Sequence, residues 1–225
     1  MKFEYKVYQL KTQFLNIINY CYIIVDNESK SALIVDPAWE INKIVGKLTD
    51  MDVHLKGILL THSHYDHVNL VDPLIKKYNP EVYMSQKEID CYGFRCRNLN
   101  ELRDLDKIDM NKTEVTCLLT QGHTAGGVCY MLQDSLFTGD TIFIEGCGMC
   151  MGKGASAEQM FESVQRIKNT VSHYISIYPG HSFGIEPGRT LGYLIKENIY
   201  FQIDNKRYFV NFRMRKNQPN IFDFK

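Results

Sequence analysis

The sequence predicts an α/β fold in which two β-sheets pack face to face and helices cover their outer faces. The order strands, helix, strand, helix occurs twice along the chain, and each half ends in turns that carry histidine and aspartate. Since each sheet must bury one face against another layer, this order favours two packed sheets with outer helices. The chain has 225 residues, 44% of them apolar, which is enough for one sizeable core. We therefore expect residues 1–225 to form a single domain.

Alternating and β-branched residues mark the strands of the first half, and apolar residues at helical spacing mark its helices. Residues 26–30 are mostly polar or charged and predict a turn between two of these strands. Strands are expected over residues 3–10, 17–25, 31–35, 57–60 and 82–84, and helices over residues 40–50 and from the histidine-rich turn to about residue 78.

The second half begins with residues 86–110, which are charged and irregular and predict a helix followed by a long connection. Whether this segment acts as a lid is left open by the sequence. Further on, Ser156 stands where a helix N-cap is expected, and Gln159 completes a capping box. Strands are expected over residues 114–119, 128–132, 136–137 and 175–178, and helices over residues 156–169 and about 189–200, followed by a basic tail.

Charge and composition exclude several classes of function. The 26 basic and 26 acidic side chains cancel, which argues against nucleic-acid binding because that normally needs a basic face. No apolar run approaches the roughly 20 residues that cross a bilayer, and the N-terminus lacks the apolar segment of a secretory signal. The seven cysteines follow no small-scaffold disulfide spacing. We expect a cytoplasmic protein with reduced thiols and no membrane contact.

The most informative stretch is residues 61–67, Thr-His-Ser-His-Tyr-Asp-His, which directly follows the apolar run at residues 57–60. Three imidazoles and a carboxylate thus crowd one turn at the end of a buried strand. Such side chains would repel or desolvate one another unless a cation gathered them. The alternative, a histidine-rich surface loop without a ligand, accounts less well for the further ligand-type turns downstream.

Three later turns each carry one more candidate ligand: His123 between glycines, Asp140 at a strand end, and His181 after a Tyr-Pro-Gly sequence. Glycine beside such a residue lets the backbone turn tightly and approach a ligand closely. Any one of these turns alone would more often be structural. Together with residues 61–67 they contain five of the seven histidines, and we interpret the other two, His54 and His173, as surface or structural residues.

With these motifs the sequence resembles the metallo-β-lactamase superfamily over nearly its whole length, and within it the glyoxalase II-like hydrolases. The resemblance implies an αββα sandwich of two mixed sheets with two metal ions at one edge. It assigns the ligands by motif: His62, His64 and His123 to the first ion, Asp66, His67 and His181 to the second, and Asp140 to both. A bridging carboxylate argues against a true β-lactamase. Imidazole and carboxylate donors suit two Zn²⁺ ions, with Fe or Mn as alternatives.

This ligand set predicts hydrolysis by a metal-bound water. Two cations that share a water lower its pKa from 15.7 towards roughly 7, which provides a hydroxide at neutral pH. We expect Asp66 to orient this nucleophile as well as to bind metal. A thioester is the favoured substrate because thiols ionise near pH 8.5 and leave with little help from an acid.

The segment after Asp140 bears on the substrate. Glyoxalase II enzymes have Gly-Cys-Gly followed by Lys or Arg, which helps to hold glutathione, whereas here Met149 occupies that position and Lys153 lies nearby. Cys147 and Cys150 form a lone Cys-x-x-Cys, which is weak evidence for a metal or redox site. The soft, methionine-rich run at residues 149–152 suits an acyl or pantetheine channel, or else simply fills the edge of the core.

The sequence as a whole is similar to the zinc-dependent hydrolases of bacterial trans-acyltransferase polyketide clusters. This resemblance implies that the substrate is an acyl group on a carrier protein. The basic tail, including Arg213, would steer an acidic carrier or its phosphate, although a solvated tail is the simpler interpretation. Met149, Lys153 and Arg213 are thus the candidate substrate contacts. Three alternatives stay open: a hydroxyacylglutathione hydrolase, a persulfide dioxygenase with one iron, and a non-catalytic scaffold. The sequence leaves the oligomeric state open.

Overall fold

The computed structural model describes residues 4–216. Its first sheet takes six strands in chain order, antiparallel from β1 to β3 and parallel from β3 to β6. These strands are β1 (Tyr5–Phe14), β2 (Ile17–Asp26), β3 (Ser31–Val35), β4 (His54–Leu59), β5 (Glu81–Ser85) and β6 (Leu99–Leu102).

The second sheet also has six strands, in the order β12-β11-β10-β9-β8-β7. Only the pair β10 and β11 is parallel, so this sheet too is mixed. The strands are β7 (Lys107–Met110), β8 (Thr113–Leu119), β9 (Val128–Met131), β10 (Ser135–Gly139), β11 (Ser176–Pro179) and β12 (Arg189–Thr190).

Helices cover the outer face of each sheet. Helices α1 (Ile41–Asp50), α3 (Val71–Tyr78) and α4 (Gln86–Tyr92) share a buried apolar cluster with the first sheet, and α2 (Tyr65–Val68) lies in the histidine-rich turn. The second sheet is covered by α5 (Ala157–Thr170), α6 (Leu191–Glu197), α7 (Ile199–Gln202) and α8 (Lys206–Arg213).

Each strand places successive side chains on opposite faces of its sheet, so each sheet packs against helices on one face and against the other sheet on the other. In β2, Ile23 points to the helices outside the first sheet, whereas its neighbours Tyr22 and Ile24 point into the cluster between the sheets. Because successive strand side chains alternate in direction, a continuously apolar strand can serve two cores at once. Together with the outer helices this gives the predicted αββα sandwich.

Helix α5 begins as its sequence predicts. The Ser156 side chain accepts a hydrogen bond from the backbone N–H of Gln159, and Met160, Val164 and Ile167 are fully buried on one face. The helix thus combines an N-cap with an apolar stripe at i, i+4 and i+7, the pattern of a core-facing helix.

Two helices predicted as continuous are interrupted. The helix after the histidine-rich turn ends at residue 68 and resumes at residue 71, as α2 and α3. Near the C-terminus, Asn198 separates α6 from α7. Its side-chain oxygen accepts from Tyr200 N, and its amide donates to the carbonyls of Phe143 and Gly146. A buried asparagine that bonds to neighbouring loops competes with helix continuation.

The prediction of a helix and a long connection over residues 86–110 is right for α4 and wrong for the remainder. The strands β6 and β7 lie there, each at an edge of its sheet. They are short and carry charged residues such as Lys107 and Asp109, as edge strands commonly do.

The predicted basic tail includes α8, and its members Asp223 and Lys225 lie outside the described residues. Among residues 4–216, no helix is both long and apolar enough to cross a membrane.

Candidate metal centre

All seven predicted ligands meet at one edge of the sandwich. They lie in four turns, which follow the C-terminal ends of β4, β8, β10 and β11. Strand β4 belongs to the first sheet and the other three strands to the second, so the ligands from both sheets converge where the sheets adjoin.

The first cluster consists of three imidazoles. His64 Nδ1 lies 3.0 Å from His62 Nε2 and 3.0 Å from His123 Nε2. One nitrogen of each ring lies within 4.8 Å of the other two. His62 is buried and His64 is exposed, so the cluster lies at the surface of this edge and is open to solvent on one side.

The second cluster contains one carboxylate and two imidazoles. His181 Nε2 lies 3.2 Å from Asp66 Oδ2 and 3.3 Å from His67 Nε2. One donor atom of each residue again lies within 4.8 Å of the other two. Each cluster alone offers three donors, the number that a catalytic zinc ion typically takes from protein.

Asp140 lies between the two clusters. Its Oδ2 is 3.6 Å from His123 Nε2, while its Oδ1 is 3.4 Å from His67 Nε2 and 3.6 Å from His181 Nε2. Oδ1 is buried and has no hydrogen-bond partner among the described residues. An orphaned buried carboxylate oxygen is costly unless a cation compensates it. This observation fits a pair of divalent ions bridged by Asp140.

The non-ligating nitrogens of two histidines fix their rings. His123 Nδ1 donates to the carbonyl of Met149 and His181 Nδ1 to the carbonyl of Ile18, each at 2.7 Å. A carbonyl oxygen only accepts, so Nδ1 must carry the proton and Nε2 keeps its lone pair for the centre. Such an outer hydrogen bond is the usual partner of a metal-bound imidazole.

Asp36 plays the same role for His67. Its Oδ2 lies 2.9 Å from His67 Nδ1 and accepts from the Thr61 hydroxyl, and its Oδ1 accepts from Thr61 N. Asp36 also lies within ligand distance of His62 and His67, but these bonds already engage both of its oxygens. We interpret it as the carboxylate that orients His67. Sequence reasoning noted Asp36 only as the end of a strand.

Glu88 joins two ligand turns and was not predicted. It is fully buried in α4, where Oε1 accepts from the N–H and hydroxyl of Ser63 and Oε2 accepts from Gly126 N. Ser63 lies between His62 and His64, and Gly126 follows the His123 turn. A Cβ at Gly126 would lie 2.0 Å from Glu88 N, so only glycine permits this approach.

Asn19 is the third unpredicted residue at the centre. It is 1% exposed, and its Nδ2 donates to the Asp66 carbonyl at 2.9 Å and lies 3.3 Å from Asp66 Oδ2. The same nitrogen lies 3.4 Å from His181 Nε2. A buried asparagine within the otherwise apolar strand β2 is the one sequence signal that could have revealed it.

Electrostatics at the centre follow from burial and crowding. Burial, with the neighbouring imidazoles of His67 and His123, holds the pKa of His62 well below 6.5, which keeps it neutral as a ligand requires. Burial also lowers the pKa of His67, but the carboxylates of Asp140 and Asp36 more than offset this and raise it to about 10.

The carboxyl group of Asp66 remains ionised. Burial raises its pKa, but the hydrogen bond with His181 and the charge of His67 outweigh burial and lower the pKa below 3.8. The donor set is thus five imidazoles and two carboxylates without a thiolate, which suits Zn²⁺ and also Fe or Mn.

The comparisons with known proteins agree with this geometry. Residues 17–181 match the family model of the metallo-β-lactamase superfamily, a span that contains all seven predicted ligands. The chain belongs to this superfamily. The predictions of the fold and of a metal-dependent hydrolase are thereby confirmed.

Relatives and solved structures place the chain more narrowly. It is 58% identical, over 100% of both chains, to the probable polyketide biosynthesis zinc-dependent hydrolase PksB of Bacillus subtilis. It is 31% identical to the hydroxyacylglutathione hydrolase of Pelagibacter ubique, over 90% of this chain and 82% of that one. The crystal structure of ETHE1 from Myxococcus xanthus, at 23% identity, superposes with a TM-score of 0.84 over 95% of this chain and 92% of that one, which shows the fold alone.

Two of the predicted substrate contacts lie beside the first cluster. The Met149 carbonyl accepts from His123, so at least its backbone belongs to the centre. Lys153 is exposed; its Nζ donates to Cys91 O at 2.5 Å and lies 5.9 Å from the centre of the Tyr92 ring. The Tyr92 hydroxyl donates to Lys153 O, and it accepts from Ala125 N next to the His123 turn.

The third predicted contact requires a correction. Arg213 is only 5% exposed, and its guanidinium donates to Cys147 O and to the Tyr200 hydroxyl. An arginine bound in this way stabilises the core of the second half, so it is not part of an exposed basic patch. The thiols of Cys147 and Cys150 are free and buried, and burial raises the pKa of Cys150 to about 12.

Proposed function

We propose that this protein is a binuclear zinc-dependent thioesterase that removes acyl groups from the phosphopantetheine arm of a carrier protein in polyketide biosynthesis. The observation that carries the proposal is the position of Asp140, whose two carboxylate oxygens face two complete ligand clusters. The similarity to the probable polyketide biosynthesis hydrolase PksB, 58% identical over the full length, supports the biosynthetic setting.

The first ion would be held by His62, His64 and His123, the second by Asp66, His67 and His181, and Asp140 would contact both. Zinc bound there would supply Lewis acidity for a carbonyl oxygen and would lower the pKa of a bound water towards roughly 7. The chain's own residues supply the orientation. Asp36 fixes the His67 ring, and Asn19 fixes the carboxylate of Asp66, so that the donor atoms are held in position before a substrate binds.

A thioester suits a centre whose acidic side chains are already engaged as ligands. The leaving thiol has a pKa near 8.5 and departs with little help from a general acid, whereas an amine or alkoxide would need one. Lys153, which is exposed beside the first cluster, is proposed to contact the phosphate of the pantetheine arm. A lysine ammonium binds such a group as a point charge.

The test is hydrolysis by the as-purified protein of three acetyl or acyl thioesters in parallel: carrier-bound, N-acetylcysteamine and lactoylglutathione, with metal content measured on the same sample. The proposal expects two zinc ions per chain, preference for the carrier-bound substrate, and activity that falls to background in Asp140→Ala. The matched control is Asp109→Ala, which removes an exposed carboxylate on the edge strand β7.

Two results would replace the proposal. Preference for lactoylglutathione would make the enzyme a hydroxyacylglutathione hydrolase, despite Met149. A single bound iron without any thioester turnover would overturn the hydrolytic reaction, and oxygen consumption with a persulfide would then be measured.

A further inference from the structure

An apolar face lies open to solvent beside the second ligand cluster. It consists of the tip of the β1–β2 hairpin and two rings behind it, and we call it the aromatic face: Phe14, Leu15, Ile17, Trp39 and Tyr65. Leu15 is 75% exposed, Tyr65 72% and Phe14 52%. Hairpin tips normally carry Gly, Asn, Asp or Ser, whereas here Asn16 is the only such residue and its neighbours Leu15 and Ile17 are apolar. Adjacent exposed apolar side chains of this kind mark a binding surface more often than a solvated one.

The three aromatic rings of this face pack against one another. The Phe14 ring stacks on Trp39 with centroids 4.9 Å apart and planes 18° apart, and Tyr65 meets Trp39 edge-on with centroids 5.9 Å apart. These are the geometries that aromatic pairs prefer. The three rings therefore form a preordered apolar surface.

The aromatic face is joined to the metal ligands through one residue. Trp39 Nε1 donates to Asn19 Oδ1 at 2.6 Å, and Asn19 Nδ2 donates to the Asp66 carbonyl. Tyr65 lies between His64 and Asp66 in the chain. The aromatic face thus directly adjoins the second ligand cluster, through Asn19 and through the chain at Tyr65.

We propose that the aromatic face binds the acyl chain of the substrate, and that the enzyme is selective for extended apolar acyl groups over acetyl or lactoyl. This inference rests on the proposed thioesterase function. The surface beside the other cluster carries Lys153 and Tyr92, which suits the polar carrier arm. The two sides of the centre thus differ in polarity as the two halves of an acyl thioester do.

The selectivity has a defined size. Burial of one methylene group raises a binding constant about fourfold, and burial on a face that stays partly open to water raises it about twofold. We expect kcat/KM to rise about two- to fourfold per methylene from acetyl to octanoyl N-acetylcysteamine thioesters. Phe14→Ala and Tyr65→Ala should reduce the increase of kcat/KM with chain length. Tyr174→Ala is the control and should leave that increase unchanged. Tyr174 is 68% exposed and precedes β11, at the opposite end of this strand from His181.

A second readout does not depend on turnover. Trp39 is the single tryptophan of the chain, so its fluorescence reports on the aromatic face alone. Titration of the zinc-loaded protein with the thioether S-octyl-N-acetylcysteamine should shift the emission to the blue, and S-ethyl-N-acetylcysteamine should not. Phe14→Ala should weaken the octyl response.

The outcomes separate the two proposals. An octyl-specific shift without hydrolysis of any thioester would support the aromatic face and overturn the thioesterase. Hydrolysis with a flat chain-length profile and no shift would overturn the aromatic face alone. The acyl assignment would also fail if Phe14→Ala abolished dimerisation of the chain, or abolished its binding to phosphatidylcholine vesicles, without changing the chain-length slope.

Discussion

Trp39 donates its indole N–H to the side-chain oxygen of Asn19 at 2.6 Å, and this bond sets the direction of the Asn19 amide. An indole nitrogen only donates, so the amide oxygen must face Trp39 and the amide nitrogen must face Asp66. The nitrogen then donates to the Asp66 carbonyl and approaches Asp66 Oδ2 at 3.3 Å. A half-buried tryptophan thereby determines how Asp66, a half-buried candidate metal ligand, is oriented.

We predict that Trp39→Phe lowers zinc affinity at the second cluster or kcat about tenfold, because loss of an outer partner typically costs 10- to 100-fold. Phenylalanine retains a ring between Phe14 and Tyr65 but lacks the N–H. Zinc stoichiometry at limiting metal, together with separate kcat and KM values, measures the effect. In a double-mutant cycle with Asn19→Ala the second change should add little. Fully additive losses would show that the two residues act independently.

The convergence of the candidate metal ligands could be predicted from the sequence because these residues occur in short local motifs at strand ends. His62, His64, Asp66 and His67 lie within six residues, and His123 and His181 are preceded by glycine. The residues that orient them could not be predicted. Asn19, Asp36 and Glu88 each stand alone in a strand, a strand end or a helix, and contact the centre only after distant segments have folded together.

The fold was predictable for a similar reason. The β-branched and aromatic run of β2 and the apolar stripe of α5 are strong local patterns that tertiary structure preserves. The strands β6 and β7 have only four residues each and carry charges, as edge strands do, so their patterns are too short to distinguish a strand from a connection. The breaks before α3 and α7 depend on side-chain bonds to remote loops, and local propensity does not report these.

We predict that Asp36→Asn lowers zinc affinity about 10- to 100-fold. Asparagine keeps the shape of the side chain but removes the charge that holds the proton on His67 Nδ1. Backbone strain is not introduced, since Asp36 has φ of 47° and asparagine tolerates that region well. Competition with a chromophoric chelator measures the affinity. The matched control is Asp52→Asn, an exposed aspartate with φ of 50°, which should bind zinc like the wild type. Equal affinities of both variants would contradict the role given to Asp36.

Gly148 is predicted to tolerate no side chain. A Cβ there would lie 2.0 Å from the carbonyl oxygen of Asp140 and 3.0 Å from His123 Nδ1. Gly148→Ala must therefore displace the backbone beside two ligands, and we expect it to lose at least half of the bound zinc and most of the activity. Zinc content and thioester hydrolysis measure this on one sample.

Gly46 provides the control for that substitution. It lies in α1, and a Cβ there would meet nothing within 4 Å. Gly46→Ala should retain zinc and activity and should raise the free energy of unfolding by up to about 1 kcal/mol, since alanine is the better helix former. If Gly148→Ala behaved like Gly46→Ala, the close packing around Asp140 would be refuted.

The far end of the sandwich depends on a different buried carboxylate, Asp26, which ties the two sheets together. Its Oδ2 accepts from the Thr113 hydroxyl of the second sheet at 2.8 Å, and its Oδ1 accepts from the N–H and hydroxyl of Ser29. Burial alone would raise its pKa, but these hydrogen bonds outweigh burial and lower the pKa from 3.8 to about 2. A pKa that is lower in the folded state than in the unfolded state contributes stability above the unfolded value and loses it as the pH falls.

We therefore predict that Asp26→Asn lowers the free energy of unfolding by roughly 2 kcal/mol at pH 7, as expected for hydrogen bonds to a charged group. The difference from wild type should shrink as the pH falls from about 5 towards 2, because the wild-type carboxylate becomes protonated. Urea denaturation of both proteins across this range measures it. Acid also releases zinc by protonating the histidines, but this affects both proteins alike and cancels in the difference. A difference that stays constant from pH 7 to pH 3 would mean that the charge of Asp26 does not hold the sheets together.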